Sequence, residues 1–160
     1  MARPVFFYDV GSPWCWLAAE AVGGASEWVP VHMPTPVPDR AAIEKKAAMK
    51  VVWPEPFPFD SRLAMLAATF AKETGRAVAF SLAAFRQAFQ AGRDLSQVDN
   101  VLIAAAACEL HPRAVLKAVE SDRVAGALEE ATARARSLGV TGVPAWIGPD
   151  QPPNVHFVGL

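Results

Sequence analysis

The chain has 160 residues, of which 52% are hydrophobic and 19% are charged, and its formal net charge is -1. This composition excludes a disordered chain and predicts one compact domain with a sizeable core. Because no basic block is present, a nucleic-acid-binding surface has no electrostatic support. The longest apolar run, Val101 to Cys108, is too short to cross a membrane, and the N-terminus is unlike a secretory signal. We therefore expect a soluble cytoplasmic protein.

Cysteine and histidine are scarce. The two cysteines, Cys15 and Cys108, suit a reducing compartment and do not make a disulfide framework of the secreted kind. Cys108 lies in an alanine-rich segment and is interpreted as a core residue. The three histidines, His32, His111 and His156, are scattered and lack metal-ligand spacing. No metal site is expected.

The first third of the chain has a β-α-β pattern. Val5 to Val10 is apolar and favours a strand, and Glu27 to His32 predicts a second one. Pro30 cannot donate to a ladder, so this second strand is expected either at a sheet edge or paired through its other side. Between the strands, Gly23-Gly24 is expected to end a helix. The predicted buried face of that helix consists of Trp14, Leu17, Ala18, Ala21 and Val22.

A proline-rich connector, Met33 to Phe59, with a short helix over Asp39 to Lys50, leads into a block of helices. The first helix of this block is expected to be capped by Asp60 or Ser61, to bury Leu63, Leu66, Ala67 and Phe70, and to end near Gly75. The second is expected to bury Leu82, Phe85 and Phe89 and to end by Gly92, and the third is expected to begin with the capping pair Ser96 and Asp99, ahead of Val101. The fourth is expected from Pro112 to Val119, and the fifth from a cap at Ser121 to Gly139, with a buried stripe of Val124, Leu128, Ala131, Ala135 and Leu138.

The chain then becomes extended over Val140 to Ile147 and again over Val155 to Gly159, which predicts a β-hairpin. The order is β-α-β, a helical block, then α-β-β. This is the arrangement of a thioredoxin-type α/β domain with an inserted all-helical block. We predict a single domain, 1–160, in which 1–32 and 121–160 form the thioredoxin-like core and 33–120 form the connector and helical insertion.

The start of the first helix is the candidate site. Ser12 is expected as its N-cap and Pro13 as its first residue, so the serine hydroxyl lies among unpaired N–H groups at the positive end of the helix. An anion or thiolate could rest there. Ser-Pro is equally typical of an ordinary helix start, and the spacing leaves both interpretations open.

Three motifs in order resemble a known family: Asp9-Val10-Gly11-Ser12-Pro13-Trp14, Trp53 to Asp60, and Gly139 to Pro144. The chain resembles DsbA-like thioredoxin-fold proteins, and within them 2-hydroxychromene-2-carboxylate isomerases and kappa-class glutathione transferases. The resemblance covers nearly the whole chain. It implies a glutathione-type thiol cofactor, an electrophilic and aromatic small substrate, and a homodimer.

The resemblance also implies roles for residues. Ser12, with Pro13 beside it, would stabilise the cofactor thiolate, and Val143-Pro144 would be a cis-proline pair that contacts glutathione. Asp60 falls where the family has an asparagine contacting glutathione, and it adds a negative charge beside an anionic ligand. Family members usually continue past the final strand with a Gly-x-Asp element that grips glutathione, whereas this sequence stops at Gly159-Leu160. The thiol would then be held differently, completed by a partner subunit, or not bound.

Ser-Pro-Trp-Cys is also the motif of a disulfide oxidoreductase with its first cysteine replaced. Cys15 is accordingly interpreted either as a core residue or as a monothiol redox centre. A third hypothesis is a catalytically silent thioredoxin-like binding module. The aromatic residues Trp14, Trp16, Trp53 and Phe57 are candidates for the substrate cleft, although loop anchoring or core packing would also explain them. The leading prediction is a thiol-dependent isomerase or transferase.

Overall fold

The structure is a computed structural model that describes residues 3–22, 25–34 and 39–148. Within these residues the chain forms three strands and seven helices. The strands are β1 (Val5–Tyr8), β2 (Glu27–Pro30) and β3 (Ala145–Ile147). The helices are α1 (Pro13–Val22), α2 (Arg40–Lys46), α3 (Arg62–Glu73), α4 (Ala77–Phe89), α5 (Val98–Ala107), α6 (Pro112–Val119) and α7 (Asp122–Ser137).

The described strands form one sheet in the order β2-β1-β3. β1 pairs with β2 in parallel, with Val5 opposite Glu27 and Tyr8 opposite Pro30. β3 pairs with β1 in antiparallel register, with Phe7 opposite Ala145. β2 therefore lies at the edge of the sheet, one of the two placements predicted from Pro30, whose missing N–H is least costly there.

Helix α3 is the centre of the helical layer. It packs against β2 and against α4, α5, α6 and α7. Alanines account for much of its buried surface, including Ala64, Ala67, Ala68 and Ala71, and small side chains let neighbouring helices approach closely. Buried residues from the sheet and from the helical block belong to one hydrophobic core. The predicted division into a core and an insertion stays a prediction.

Several helix ends follow the sequence signals. Asp39 caps α2 by accepting from the N–H groups of Ala41 and Ala42, and Pro112 opens α6. The hydroxyl of Ser121 accepts from the N–H of Val124 at 3.4 Å and caps α7. Gly139, with φ of 91°, follows the last helix in the left-handed conformation that glycine tolerates best.

Two predictions about helices are wrong. Ser96 does not cap α5, since Gln97 is the capping residue and makes no side-chain cap bond. The buried face of α1 also differs from the prediction: Cys15, Trp16 and Ala19 are buried, whereas Trp14 is partly exposed and Ala21 is exposed. α1 carries apolar residues on every side, so the spacing alone could not select the face that packs.

Other predictions fall on residues outside the described ranges. These are the helix end at Gly23-Gly24, the strand over Val155 to Gly159, and His156. α2 is shorter than predicted, ending at Lys46. Among the described helices, none combines the length and apolar character that a membrane crossing requires.

Candidate active site

The candidate site lies where the two parallel strands end. Asp9 directly follows β1, and the segment Val31 to Met33 directly follows β2. Because parallel strands point their carboxyl ends to the same edge of a sheet, these residues meet there, beside the start of α1. A cleft of about 380 Å³ opens at this edge. Its polar lining consists of Asp9, Gly11, His32, Asp60 and Ser61.

Asp9 is the buried centre of the site, with 1% of its surface exposed. Its Oδ1 accepts a hydrogen bond from the N–H of Gly11 at 2.8 Å, and its Oδ2 accepts from the N–H of Met33 at 3.0 Å. The hydroxyl of Ser61 donates to the same carboxyl group. One side chain thereby joins the end of β1, the end of β2 and the start of α3.

Burial raises the pKa of Asp9 above its ordinary value, because a carboxylate is poorly solvated in the protein interior. The hydrogen bonds from Gly11, Ser61 and Met33 and the nearby imidazole of His32 act in the opposite direction but do not outweigh burial. The carboxyl group therefore binds a proton more readily than an exposed aspartate does.

Ser12 and Cys15 lie together, one turn apart, as the capping pattern predicts. The N–H of Cys15 donates to the Oγ of Ser12 at 3.2 Å, and the N–H of Ser12 donates to the carbonyl of Asp9 at 3.1 Å. Ser12 is 1% exposed and Cys15 is fully buried. Ser12 is thus an N-cap whose hydroxyl is turned inward, and it does not line the cleft.

Cys15 is chemically quiet in this setting. Burial raises the pKa of its thiol to about 12, although hydrogen bonds from the Asp9 backbone and the Ser12 side chain oppose the shift. Since the thiolate is the reactive form, hardly any Cys15 is reactive near neutral pH. The structure favours the interpretation of Cys15 as a core residue.

His32 and Ser61 are site residues that sequence reasoning missed. The imidazole of His32 is 27% exposed, and its Nε2 lies 3.9 Å from Oδ1 of Asp60. Asp60 itself is 75% exposed and accepts from the N–H of Arg62 at 2.9 Å. The available signal was position: His32, like Asp9, lies at the carboxyl end of a strand predicted for the β-α-β unit.

The apolar wall of the cleft is formed by Pro34, Pro58 and Phe59. Phe59 belongs to an aromatic cluster, since its ring centroid lies 6.1 Å from that of Phe57. Phe57 in turn lies 5.9 Å from Phe89 of α4. The proline-rich connector is therefore held against the helical layer by edge-to-face aromatic contacts, and its last aromatic residue reaches the cleft.

The four aromatic residues proposed for a substrate cleft lie elsewhere. Trp53 packs on Phe57 and donates from Nε1 to Glu44 at 2.7 Å, so both residues anchor the connector. Trp16 is fully buried against Phe89, which contradicts its placement at a cleft. Trp14 is partly exposed but does not line this cleft. Trp16 is buried because the side of α1 that carries it packs against α4.

Val143 and Pro144 immediately precede β3, and the peptide bond between them is cis. Because Ala145 pairs with Phe7 in antiparallel register, Val143 and Pro144 lie at the end of the sheet where β1 ends and Asp9 follows it. Both are buried. The structure thus brings the three motifs to one edge of the sheet.

Within the described ranges, no group of three or more histidine, cysteine or carboxylate side chains could hold a metal ion. The chemistry available at this edge is therefore that of the buried carboxyl of Asp9, the imidazole of His32, the carboxylate of Asp60 and the hydroxyl of Ser61. Such groups can bind, orient and move protons.

Comparison with known proteins places this geometry in context. The model of the DSBA-like thioredoxin domain matches residues 5–159, which confirms the predicted family and fold class. No curated protein matches the sequence.

Three solved structures illustrate the likeness. 2-hydroxychromene-2-carboxylate isomerase is 15% identical with a TM-score of 0.78, over 92% of this chain and 86% of that one. The cytosolic disulfide reductase DsbM from Pseudomonas aeruginosa, with GSH, is 18% identical with a TM-score of 0.64, over 89% and 84%. Pseudomonas aeruginosa DsbA is 15% identical with a TM-score of 0.57, over 90% and 67%. At these identities the likeness shows the fold.

Proposed function

We propose that this chain, which belongs to the DSBA-like thioredoxin family, is an isomerase or transferase for a small electrophilic substrate and not a disulfide oxidoreductase. The observation that carries this proposal is the state of Cys15, which is fully buried with its pKa raised to about 12. Ser12 supplies no sulfur. The Ser-Pro-Trp-Cys segment therefore offers no reactive thiol for disulfide exchange.

The cleft supports the same function. Its apolar wall of Pro34, Pro58 and Phe59 suits an aromatic or otherwise unsaturated compound, and its polar side carries groups that transfer protons. A volume of about 380 Å³ suits a small molecule. An isomerase is among the proteins that share the fold, and a shared fold alone does not fix the activity.

A small thiol such as glutathione is the cofactor that the resemblance implies. Ser12 as placed does not fit a direct role in holding it, because the hydroxyl is buried and accepts the N–H of Cys15. The carboxylate of Asp60 at the cleft also disfavours an anionic ligand. A thiol could reach Ser12 only after the groups covering it moved, so no chemical step here passes through one.

The test is a turnover assay on a panel of α,β-unsaturated carbonyl compounds, with and without reduced glutathione, alongside reduction of insulin disulfides. We expect turnover of at least one carbonyl compound, unchanged in Cys15→Ala, and no insulin reduction. Insulin reduction that is lost in Cys15→Ala would show a disulfide oxidoreductase instead. Inactivity in both assays would contradict the proposal and favour a silent binding module.

A further inference from the structure

We propose that His32 is the proton-transferring catalytic residue of the cleft, and that the cleft takes a small uncharged carbonyl compound whose carbon–carbon double bond it moves. This inference rests on the proposed function, since it names the substrate class and the reacting group of the same cleft. It needs neither Ser12 nor Cys15.

The position of His32 makes it suitable for this task. Its imidazole is partly exposed and lines the cleft, whereas its backbone N–H is fixed by the hydroxyl of Thr132 in α7 at 3.0 Å. The backbone is therefore anchored independently of the imidazole, which stays available to a ligand. Such a base, held by a rigid strand end and open on one side, is what proton transfer to a bound molecule requires.

Two carboxyl groups stand beside this imidazole. Asp60 approaches Nε2 to 3.9 Å from the start of α3, and Asp9 is close enough from the end of β1 to interact with His32 electrostatically. When His32 accepts a proton, its new positive charge appears next to these groups. Opposite charge placed there in advance stabilises the positive charge that develops when a carbon-bound proton is removed.

The charges of the lining define the substrate class. The described lining contains two carboxyl groups and one imidazole, and it contains no lysine or arginine. A substrate carboxylate would meet like charge without a matching cation. The apolar wall of Pro34, Pro58 and Phe59 suits the carbon skeleton of a neutral molecule. The cleft is thus built for an uncharged unsaturated ketone or aldehyde.

The reaction balances without an oxidant or a cofactor. Neutral imidazole of His32 removes a proton from the carbon between the carbonyl and the double bond, and the C–H electron pair becomes a new C=C bond as the carbonyl π pair moves to oxygen. The resulting dienolate then takes the same proton from the imidazolium at its far carbon. The carbonyl re-forms, and the double bond is now conjugated with it. His32 ends neutral, as it began.

The experiment uses 3-cyclohexen-1-one, whose conjugated isomer absorbs in the ultraviolet, with 5-oxocyclohex-2-ene-1-carboxylate as the anionic counterpart. We expect the wild-type chain to isomerise the neutral ketone at least about tenfold faster than the anion. His32→Gln and His32→Asn should each lose about 10²- to 10⁴-fold of that rate. His111→Asn is the matched control, because His111 is an exposed cap of α6 and should leave the rate unchanged.

The outcomes separate this inference from the proposed function. If both His32 variants keep the wild-type rate on the ketone, the inference fails and the isomerase proposal stands. If the wild-type chain ignores the ketone but converts another electrophile with glutathione, the inference again fails alone. Inactivity toward every carbonyl compound, with or without thiol, overturns both. In deuterated water, return of the substrate's own proton through His32 should leave the far carbon of the product mostly unlabelled, and full solvent label there would contradict that step.

Discussion

The carboxyl group of Asp9, at the end of β1, accepts a hydrogen bond from the backbone N–H of Met33, which follows β2, at 3.0 Å. This contact joins the ends of two parallel strands across 24 residues of sequence. It also places the imidazole of His32, one residue earlier, beside the same carboxyl group. The polar edge of the cleft depends on this one buried acid.

Asp9→Asn should change how stability depends on pH. Burial raises the folded-state pKa of Asp9 above its ordinary value of 3.8, so the folded chain holds this proton more tightly than the unfolded chain. The resulting stabilisation is complete below 3.8 and is lost as pH rises through the folded pKa. The asparagine side chain also has one oxygen acceptor where aspartate has two, and the lost hydrogen bond costs about 1 kcal/mol of unfolding free energy. We expect the variant to be less stable than wild type in acid, and the deficit to shrink toward neutral pH.

Denaturant unfolding at a series of pH values measures this. Asp99→Asn is the matched control, because Asp99 is exposed in the first turn of α5. A constant difference between Asp9→Asn and wild type at every pH would show that Asp9 titrates in the folded chain as it does in the unfolded one.

Alkylation should distinguish the two cysteines. Cys15 is fully buried with a pKa of about 12, whereas Cys108 is only partly buried, although burial also raises its pKa. In the native chain we expect iodoacetamide to label Cys108 slowly and Cys15 hardly at all, with both labelled in denaturant. Mass spectrometry of digested fragments reads this out. Rapid native labelling of Cys15 would revive the disulfide oxidoreductase hypothesis.

Ser12→Ala should destabilise the chain more than Ser121→Ala. Both serines are N-caps, but Ser12 is buried and accepts at 3.2 Å, whereas the Ser121 bond is 3.4 Å and only part-buried. We expect losses of about 1–2 kcal/mol for Ser12→Ala and about 0.5–1 kcal/mol for Ser121→Ala in denaturant unfolding. Equal losses would mean that burial adds nothing to the Ser12 cap. Because Ser12 does not line the cleft, ketone turnover should survive in folded Ser12→Ala.

Contacts between residues that are close in sequence explain which parts of this fold could be predicted from the sequence. Pro112 and Ser121 start helices through contacts within three or four residues, so their roles were predicted correctly. The buried face of α1 was predicted wrongly, because Trp14 and Trp16 are both apolar and only packing against α4 decides which of them is buried. His32 and Ser61 were missed for a related reason. They join Asp9 only once the parallel register and the start of α3 are known, and neither is a local feature.

Gly11→Ala should distort the cleft, whereas Gly126→Ala should not. A Cβ at Gly11 would lie 3.0 Å from Cβ of Ser61 and 3.2 Å from Oδ1 of Asp9, so it would press on the start of α3 and on the buried acid. We expect a loss of about 1–3 kcal/mol in unfolding free energy and reduced turnover.

At Gly126, inside α7, a Cβ meets nothing within 4 Å, and we expect a gain of about 0.5–1 kcal/mol from better helix propensity. Denaturant unfolding of both variants, with activity measured in parallel, checks the pair. Should Gly11→Ala be as stable and as active as wild type, Ser61 must be free to move away. The network around Asp9 would then be looser than its hydrogen bonds indicate, and the orientation of His32 would need another source.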